Sequence, residues 1–560
     1  MPSHFLKEYQ VDRQERGVYD KRNTINDLTG KEWLFSTKTV IPKGYQRIWS
    51  YNEKSEYHNS IPSTLSKELI ETFSKPGDTI LDPFAGIGST LFGCFLANEY
   101  STSTKRKCIG IEQSEILFNA HNHLLKSLSI SDQGMILGDP AQILSDVEAN
   151  SIDFVLTDIP VWALSGLMTA NIGIELNRYQ KTPLKALEEW CTGVCTLLSQ
   201  TKDKLKESKY LVIAIPNGTR EKEYPPLNFA LSGILTHEFQ EMGLVLKAER
   251  IWFESDFQSK RDIYNDLDRR LLVFRKESRF NHQFRSTPLY FEKKIPVGDT
   301  YILHRAFPPS FNHKLRSEHG GMKPPELAQL LITKYSRTQE EVILDPFAGV
   351  GGTLLGASLS GKQAIGVDIN ERWKTIYQQV SQAHGLKPQE FLIGDSRQVV
   401  RETIDDNSID LILTDVPYWA MDKLQKTRGR FSKAGEESRG KLPSPLHSFN
   451  QASILTLEEW IELLKTVFNY CYPKLIDGGY LVVFIGNMYR TIVESRKEKV
   501  KKVGKYLLLS SMLAKVLLDI GYSFEEEIIW YSPDKSLHVF GYPFSYIPSI
   551  VHQSILVFTK

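Results

Sequence analysis

The chain has 560 residues, 41% of them hydrophobic and 24% charged, with a formal net charge of +1. This length suits two to four domains of ordinary globular composition, and the charge balance neither requires nor excludes a nucleic-acid partner. No stretch is apolar enough to span a bilayer, and the first twenty residues lack an apolar signal core. We therefore expect a cytoplasmic protein without a membrane partner. The five cysteines are scattered, so no metal site is predicted.

Short motifs recur in the same order in the two halves of the chain. TILDPFAGIGST at 79–90 returns as VILDPFAGVGGT at 342–353. Further pairs follow in order: CIGIEQSE and AIGVDINE, ILGDPAQIL and LIGDSRQVV, SIDFVLTDIPVWA and SIDLILTDVPYWA, YLVIAIPNG and YLVVFIGNM. Such self-similarity indicates two domains of one ancestry, the first copy and the second copy. The predicted units are an N-terminal segment 1–40, the first copy 41–276, a linker 277–297 and the second copy 298–560.

Within each copy, β-branched apolar runs alternate with longer amphipathic segments. In the second copy, AIGVDI, DLILTDV and YLVVFI are separated by stretches such as LEEWIELLKTVFNYCYPKL. This alternation predicts an α/β fold with a mostly parallel sheet covered by helices. Ligands of such sheets bind at the carboxyl ends of the strands, where the recurring motifs lie.

The second copy has a glycine-rich loop, DPFAGVGGT, directly after a predicted strand. It supplies the candidate cofactor-binding residues Asp345, Pro346, Phe347, Gly349, Gly351 and Thr353. The spacing is not that of a dinucleotide loop, because Leu354 stands where the third glycine belongs. An aspartate at the strand end suits a cation better than a pyrophosphate. A sulfonium cofactor with a free ammonium group fits that charge.

Two further strand ends carry acidic residues that suit the same cofactor. Asp368 can accept hydrogen bonds from both ribose hydroxyls, and Asp395 is expected to meet the adenine edge. The alternative is that these residues only shape strand-end turns, but their order and their repetition favour a cofactor site. The first copy retains equivalents at Asp82, Gly86, Gly88, Glu112 and Asp139.

A third motif, DVPYW at 415–419, follows the predicted strand DLILT. Together with the cofactor loop before it, this motif resembles the DNA amino-methyltransferases, which act on adenine N6 or cytosine N4. The resemblance covers most of both copies and extends to NDLTGKEW at 26–33 and to the segments 62–78 and 323–341 that precede the cofactor loops. It implies two tandem Rossmann-like class I S-adenosylmethionine-dependent methyltransferase domains with seven-stranded sheets. It also implies double-stranded DNA as the substrate, with a restriction enzyme or another phage-defence component as a candidate partner.

The resemblance assigns catalytic roles to Asp415, Val416, Pro417, Tyr418 and Trp419. An exocyclic amine is a poor nucleophile because its lone pair is delocalised into the ring. The Asp415 carboxylate and the Val416 carbonyl would accept hydrogen bonds from its two N–H groups. Tyr418 offers a stacking face for a flipped base, and Pro417 holds the loop. The family has a proline where this chain has Val416, which leaves adenine and cytosine open as target bases.

The first copy departs further from the motif. It reads DIPVW at 158–162, so Asp158 and Pro160 remain while Val161 replaces the aromatic residue. Loss of a stacking face costs about 1–3 kcal/mol per base. We therefore predict that the second copy is catalytic and that the first is weakened or non-catalytic.

Local charge agrees with this asymmetry. The segments 421–441 and 488–505 of the second copy each carry seven basic residues, whereas the matching segment 163–185 of the first copy carries three. Basic loops beside the reacting motif suit a phosphate backbone. The segments 421–456 and 486–510 are therefore candidates for target recognition.

Three other functions are compatible with the sequence. An RNA amino-methyltransferase, such as one acting on guanine N2 of tRNA, shares the Asp-x-Pro-aromatic motif. A non-catalytic DNA-binding pseudoenzyme is a second alternative. In a third, the first copy is a separate active enzyme for the other strand of an asymmetric site.

Overall fold

A computed structural model describes most of the chain. The described residues are 7–45, 60–99, 104–131, 134–159, 183–216, 232–233, 235–236, 239, 242–253, 263–264, 267–277, 299–338, 340–417, 419, 456–496, 499–533, 535 and 537–560. Within these ranges, no helix has the length and apolar character needed to cross a membrane. The predicted linker 277–297 lies outside them apart from Glu277.

The N-terminal segment forms a two-stranded ribbon and a helix, and the first copy follows it. The segment comprises β1 (Gln10–Asp12), β2 (Val18–Asp20) and α1 (Gly30–Ser36). The first copy comprises β3 (Val40–Pro42), α2 (Ser63–Phe73), β4 (Thr79–Asp82), α3 (Ser89–Asn98), β5 (Lys107–Glu112), α4 (Glu115–Ser127), β6 (Met135–Leu137), α5 (Pro140–Asp146), β7 (Ile152–Asp158), α6 (Pro183–Lys204), β8 (Leu205–Pro216), β9 (Leu244–Phe253), β10 (Ile263–Tyr264) and β11 (Leu267–Lys276).

The second copy repeats this succession with one added hairpin. Its elements are β12 (Asp299–His304), α7 (His313–Arg316), α8 (Pro325–Tyr335), β13 (Val342–Asp345), α9 (Gly352–Leu359), β14 (Gln363–Asp368), α10 (Glu371–Ala383), β15 (Glu390–Ile393), α11 (Ser396–Thr403), β16 (Ile409–Asp415), α12 (Leu457–Lys474), β17 (Leu475–Ile485), β18 (Met488–Arg496), β19 (Lys499–Leu507), α13 (Leu509–Ile520), β20 (Ser523–Tyr531) and β21 (His552–Thr559). The hairpin is β18–β19.

The two main sheets have the same strand order. The first runs β6-β5-β4-β7-β8-β11-β9-β3, and the second runs β15-β14-β13-β16-β17-β21-β20-β12-β10. In each, the last strand along the chain, β11 or β21, is antiparallel to both of its neighbours. The predicted α/β class with tandem Rossmann-like sheets is confirmed. Each sheet extends beyond the predicted seven strands, because β3 and β12 add parallel to β9 and β20.

The two copies exchange segments. Strand β10, which lies between β9 and β11 in the chain, pairs with β12 of the second sheet. In return, the connection between β20 and β21 places Tyr546 in the core of the first copy. The Tyr546 amide donates to the Tyr210 hydroxyl at 3.1 Å, and its ring centroid lies 4.9 Å from that of Phe73. The copies therefore share a packed interface, while the exact domain boundaries stay predictions.

A buried ion network crosses this interface. Arg270 donates to Glu249 of its own copy at 2.9 Å and to Glu527 of the second copy at 2.7 Å. All three side chains are at most 1% exposed. Removing one partner of such a network leaves a buried charge uncompensated, so these contacts fix how the two sheets face each other.

Candidate active site

Three acidic residues of the second copy end neighbouring parallel strands. Strand β13, which ends at Asp345, pairs with β14 on one side and with β16 on the other. Asp368 and Asp415 end those two strands. Because the carboxyl ends of parallel strands share one edge of the sheet, the three carboxylates line the same cleft.

Asp345 lies at the base of this cleft and is almost fully buried. Its Oδ1 accepts from the Thr414 hydroxyl at 2.6 Å and from the Phe347 amide at 3.1 Å. Burial raises the pKa of Asp345 to about 6, and the nearby Asp415 charge acts in the same direction. Thr414 thus joins the start of the cofactor loop to the strand that carries the reacting motif.

Asp368 is held by backbone amides on both oxygens. Gly349 donates to Oδ2 at 2.9 Å, and Asn370 donates to Oδ1 at 2.8 Å. Burial raises the pKa of Asp368 to about 6. Since each carboxylate oxygen can accept more than one hydrogen bond, the fixed side chain retains capacity for a pair of ligand hydroxyls.

The loop between β13 and α9 is tightly packed. Gly351 has φ +72°, and a Cβ on it would lie 2.3 Å from a ring carbon of Tyr377, so no larger residue fits. The Pro346 carbonyl accepts from the Ser396 hydroxyl at 2.5 Å, and the Thr353 hydroxyl donates to a main-chain carbonyl of β16 at 3.3 Å. Backbone can therefore approach a ligand closely here.

Asp395 differs from the other acidic residues. It caps α11 by accepting from the Arg397 amide at 2.9 Å, and it forms an ion pair with the Arg397 guanidinium at 2.5 Å. This pair lowers the pKa of Asp395. The predicted contact with an adenine edge stays a prediction, and Arg397 is a neighbour that the sequence motif did not reveal.

The reacting motif is supported from several sides. Lys323, just before α8, forms an ion pair with Asp415 at 2.5 Å. Val416 is buried, and the Pro417 carbonyl accepts from the Trp460 indole at 2.7 Å. Trp419 lies under a guanidinium, with Arg490 Cζ 4.7 Å from its ring centroid. Tyr418 lies outside the described residues, as do 421–455 of the predicted recognition segment 421–456.

The cofactor loop of the first copy has nearly the same hydrogen bonds. Asp82 accepts from Thr157 at 2.8 Å, and Glu112 accepts from the amides of Gly86 and Ser114 at 2.9 and 2.7 Å. Burial raises the pKa of Asp82 to about 6 and that of Glu112 to about 7. Two further predicted residues keep their places: Asp139 caps α5, and Gly88 has φ +92° at the start of α3.

The reacting aspartate of the first copy has different partners. Asp158 Oδ2 accepts from the Ile61 amide at 3.0 Å and from Arg269 at 3.4 Å. Arg269 is a buried residue of β11. Lys323 lies outside the sheet and carries its ammonium group on a flexible side chain. Pro160 and Val161 lie outside the described residues.

Sequence reasoning missed several of these partners. Lys323 and Arg269 are far in sequence from the aspartates that they contact, so no local sequence pattern could predict these contacts. A signal was present for Thr157 and Thr414, because both copies have threonine directly before the last aspartate of the strand. The repeated LEEW likewise contained Trp460.

Comparisons with known proteins find similarity along most of the chain. A family model for DNA methylases matches residues 6–122, 152–379 and 409–560, which is most of the chain. A tRNA (guanine(10)-N2)-dimethyltransferase from Methanothermobacter thermautotrophicus is 29% identical over 134 residues, covering 22% of this chain and 39% of that protein. The Type II methyltransferase M.MthZI from the same organism is 29% identical over 114 residues, covering 19% of this chain and 32% of that protein.

Among solved structures, TrmN from Thermus thermophilus is similar with 15% identity and a TM-score of 0.28, covering 56% of this chain and 60% of that one. The chain thus spans less than two thirds of the length of each of these relatives. The buried carboxylates and the tight glycine loop fit S-adenosylmethionine, which is a cation with a ribose diol. The chain belongs to the DNA methylase family.

Proposed function

We propose that the second copy methylates the exocyclic amine of adenine (N6) or cytosine (N4) in double-stranded DNA. The observation that carries this proposal is the hydrogen bond from Thr414 to Asp345, which sets the reacting motif directly beside the cofactor loop. Asp415 follows Thr414 in the chain. A carboxylate for the substrate amine is therefore adjacent to the carboxylates that suit the cofactor.

In this proposal, Asp368 accepts from the cofactor ribose and Asp345 supplies negative charge beneath its cationic part. S-adenosylmethionine, when bound, supplies an activated methyl group on sulfonium sulfur. The residues of the chain fix the two reactants in one orientation, and positioning of this kind is a large part of enzymatic rate enhancement.

The reacting motif would act on the amine through two acceptors. The Asp415 carboxylate and the Val416 carbonyl accept hydrogen bonds from the two N–H groups of the amine. This arrangement favours a pyramidal nitrogen with an available lone pair. Val416 does not remove this function, because the acceptor is its main-chain oxygen rather than its side chain. Asp415 then accepts the excess proton or passes it to water.

Lys323 would keep Asp415 oriented before the base enters. The pair is largely buried, so the ammonium group offsets a charge that would otherwise be costly there. A lysine has a flexible stem, and it can turn aside to admit the substrate amine. Arg269 in the first copy is fixed within a strand, and we infer that it holds Asp158 away from substrate.

The proposal is tested by methyl transfer from radiolabelled S-adenosylmethionine to duplex DNA and to tRNA transcripts. We expect label in DNA, on adenine N6 or cytosine N4. Label confined to tRNA guanine would instead support the RNA alternative, which is favoured by the similarity to tRNA (guanine(10)-N2)-dimethyltransferases. Transfer to neither would support a non-catalytic nucleic-acid-binding protein.

Three finer expectations stay predictions. A role in restriction–modification or phage defence, a partner from such a system and a cytoplasmic location were inferred from the sequence alone. Identification of the methylated site in DNA from cells that express the protein would address the first two.

A further inference from the structure

The hairpin β18–β19 forms a two-stranded sheet of its own beside the second copy. Nine residue pairs run from Met488 with Leu507 to Arg496 with Lys499. At about 3.4 Å per residue, the ribbon is about 27 Å long. Two residues separate the start of the hairpin at Met488 from the end of β17 at Ile485. Strand β17 pairs with β16, which carries the reacting motif at its end.

The hairpin is mounted on the first copy through β9. Three residues of that strand make the contacts: Val245 packs against Val503, Lys247 donates to the Gly504 carbonyl at 2.7 Å, and Glu249 accepts from the Asn487 amide group at 3.0 Å. The pairing of β9 with β11 shifts register between Leu246 and Ala248, so Lys247 lies at an irregular point of the strand. The contacts on both sides of this point attach the hairpin to the edge of the first sheet.

The base of the hairpin is packed closely. A Cβ on Gly504 would lie 1.8 Å from the Tyr489 hydroxyl, so the two strands touch through a glycine under an aromatic ring. Tyr506 is fully buried, and Lys505 is buried to the point that its pKa falls to about 8. The ribbon therefore projects from a fixed base.

The hairpin also reaches the reacting motif. Arg490 of β18 lies over the ring of Trp419, four residues after Asp415. The same motif is held from its other side by the bond from Trp460 to Pro417. The base of the hairpin therefore lies beside the reacting motif.

The charge of the hairpin indicates the ligand. The basic residues of its two strands are Arg490, Arg496, Lys499, Lys501, Lys502 and Lys505, and their one acidic residue is Glu494. By register, Arg496, Lys499, Lys501 and Lys502 lie beyond Val503, at the end of the ribbon far from β9. Such a distribution suits a polyanion.

The shape decides between polyanions. The major groove of B-form DNA is about 12 Å wide and admits a two-stranded β-ribbon, whereas the major groove of A-form RNA is too deep and narrow for side chains to read. We propose that the β18–β19 hairpin grips duplex DNA in the major groove and that the first copy serves as its mount. This inference rests on the proposed function and gives the first copy a role that needs no methyl transfer.

The tip is tested with the variant Lys501→Ala/Lys502→Ala. We expect its affinity for a 30-base-pair duplex of mixed sequence to fall about tenfold at 0.15 M salt. The slope of log affinity against log salt should fall by about 2, because two phosphate contacts are lost. Binding of S-adenosylmethionine should not change.

The matched control is Lys126→Ala/Lys387→Ala. Both lysines are exposed, and they precede β6 and β15 at the amino ends of the strands, away from the cleft. We expect duplex affinity within twofold of the wild-type value. An equal loss in both double variants would show a general charge effect and would overturn the inference, as would wild-type affinity in the tip variant.

The mount is tested with Lys247→Met, which removes the bond to the Gly504 carbonyl and the ion pair with Glu277 at 3.3 Å but no tip charge. Duplex affinity should fall about threefold or more with an unchanged salt slope, since a hydrogen bond from a charged group is lost. Unchanged affinity would overturn the mounting role. A tip variant that loses binding only to a tRNA transcript would overturn the choice of DNA.

Failure of the inference and failure of the proposed function give different results. If the tip variant binds and methylates DNA like the wild type, only the hairpin inference fails. If the wild type methylates tRNA guanine and no DNA, the proposed function fails as well.

Discussion

The two copies share a hydrogen bond between strands. Thr157 of β7 donates to Asp82 in the first copy, and Thr414 of β16 donates to Asp345 in the second. The residue that follows meets a different cation in each copy. Asp158 contacts Arg269 within the sheet, and Asp415 contacts Lys323 outside it. Duplication thus preserved the part of the fold that suits the cofactor, while the part that would meet the substrate diverged.

The difference indicates how a second copy of an enzyme domain can acquire another role. The first copy keeps an eight-stranded sheet, contributes β10 to the second sheet and holds the hairpin through β9. These functions depend on packing rather than on the reacting motif. Its cofactor loop can persist because the same hydrogen bonds also hold the strand ends together.

The largest expected effect is on the reacting aspartates. Asp415→Ala should lower methyl transfer by about 10³-fold or more, because it removes the acceptor of the amine proton. Asp158→Ala should leave most activity. Single-turnover rates measure both, and equal losses in the two variants would refute the division of roles.

The next effect concerns the carboxylates that are proposed to bind the cofactor ribose, Asp368 and Glu112. Asp368→Ala should raise the KM for S-adenosylmethionine about 10- to 100-fold, because hydrogen bonds to a charged acceptor are lost. Glu112→Ala should leave the KM unchanged. In equilibrium dialysis, the Glu112 variant should bind one S-adenosylmethionine per chain where the wild type binds two. A wild type that binds only one would show that the first copy does not hold the cofactor.

Lys323→Met should lower kcat by about tenfold, since Asp415 loses the charged partner that orients it. Ile61 occupies the matching position before α2 in the first copy, and Ile61→Met is the control. If the lysine variant retains full kcat, the ion pair does not position the carboxylate.

The smallest effect is the pH dependence of cofactor binding. Burial raises the pKa of Asp368 to about 6 and that of Glu112 to about 7, so the neutral acids persist up to those values. A ligand that needs the carboxylate form binds more weakly below them. From pH 8 to pH 6, affinity should fall about tenfold at Glu112 but only about twofold at Asp368. Calorimetric titration at both pH values checks this order.

Local patterns in the sequence predicted the α/β class, the mostly parallel sheets and the acidic residues at neighbouring strand ends. DPFAGVGGT and the acidic residues at the next strand ends were sufficient, because the carboxyl ends of parallel strands always share an edge. They could not predict Lys323 or Arg269, whose contacts depend on how distant segments pack. For the same reason they could not predict that β10 and Tyr546 pack in the opposite copy, or that the hairpin packs on β9.

The most direct test uses the double variant Glu112→Ala/Asp158→Ala, in which both candidate sites of the first copy are disabled. It is incubated with radiolabelled S-adenosylmethionine and duplex DNA, and the DNA is then digested to nucleosides. The account predicts labelled N6-methyladenine or N4-methylcytosine at a rate close to that of the wild type. It would be contradicted if the double variant produced no labelled base while the wild type remained active.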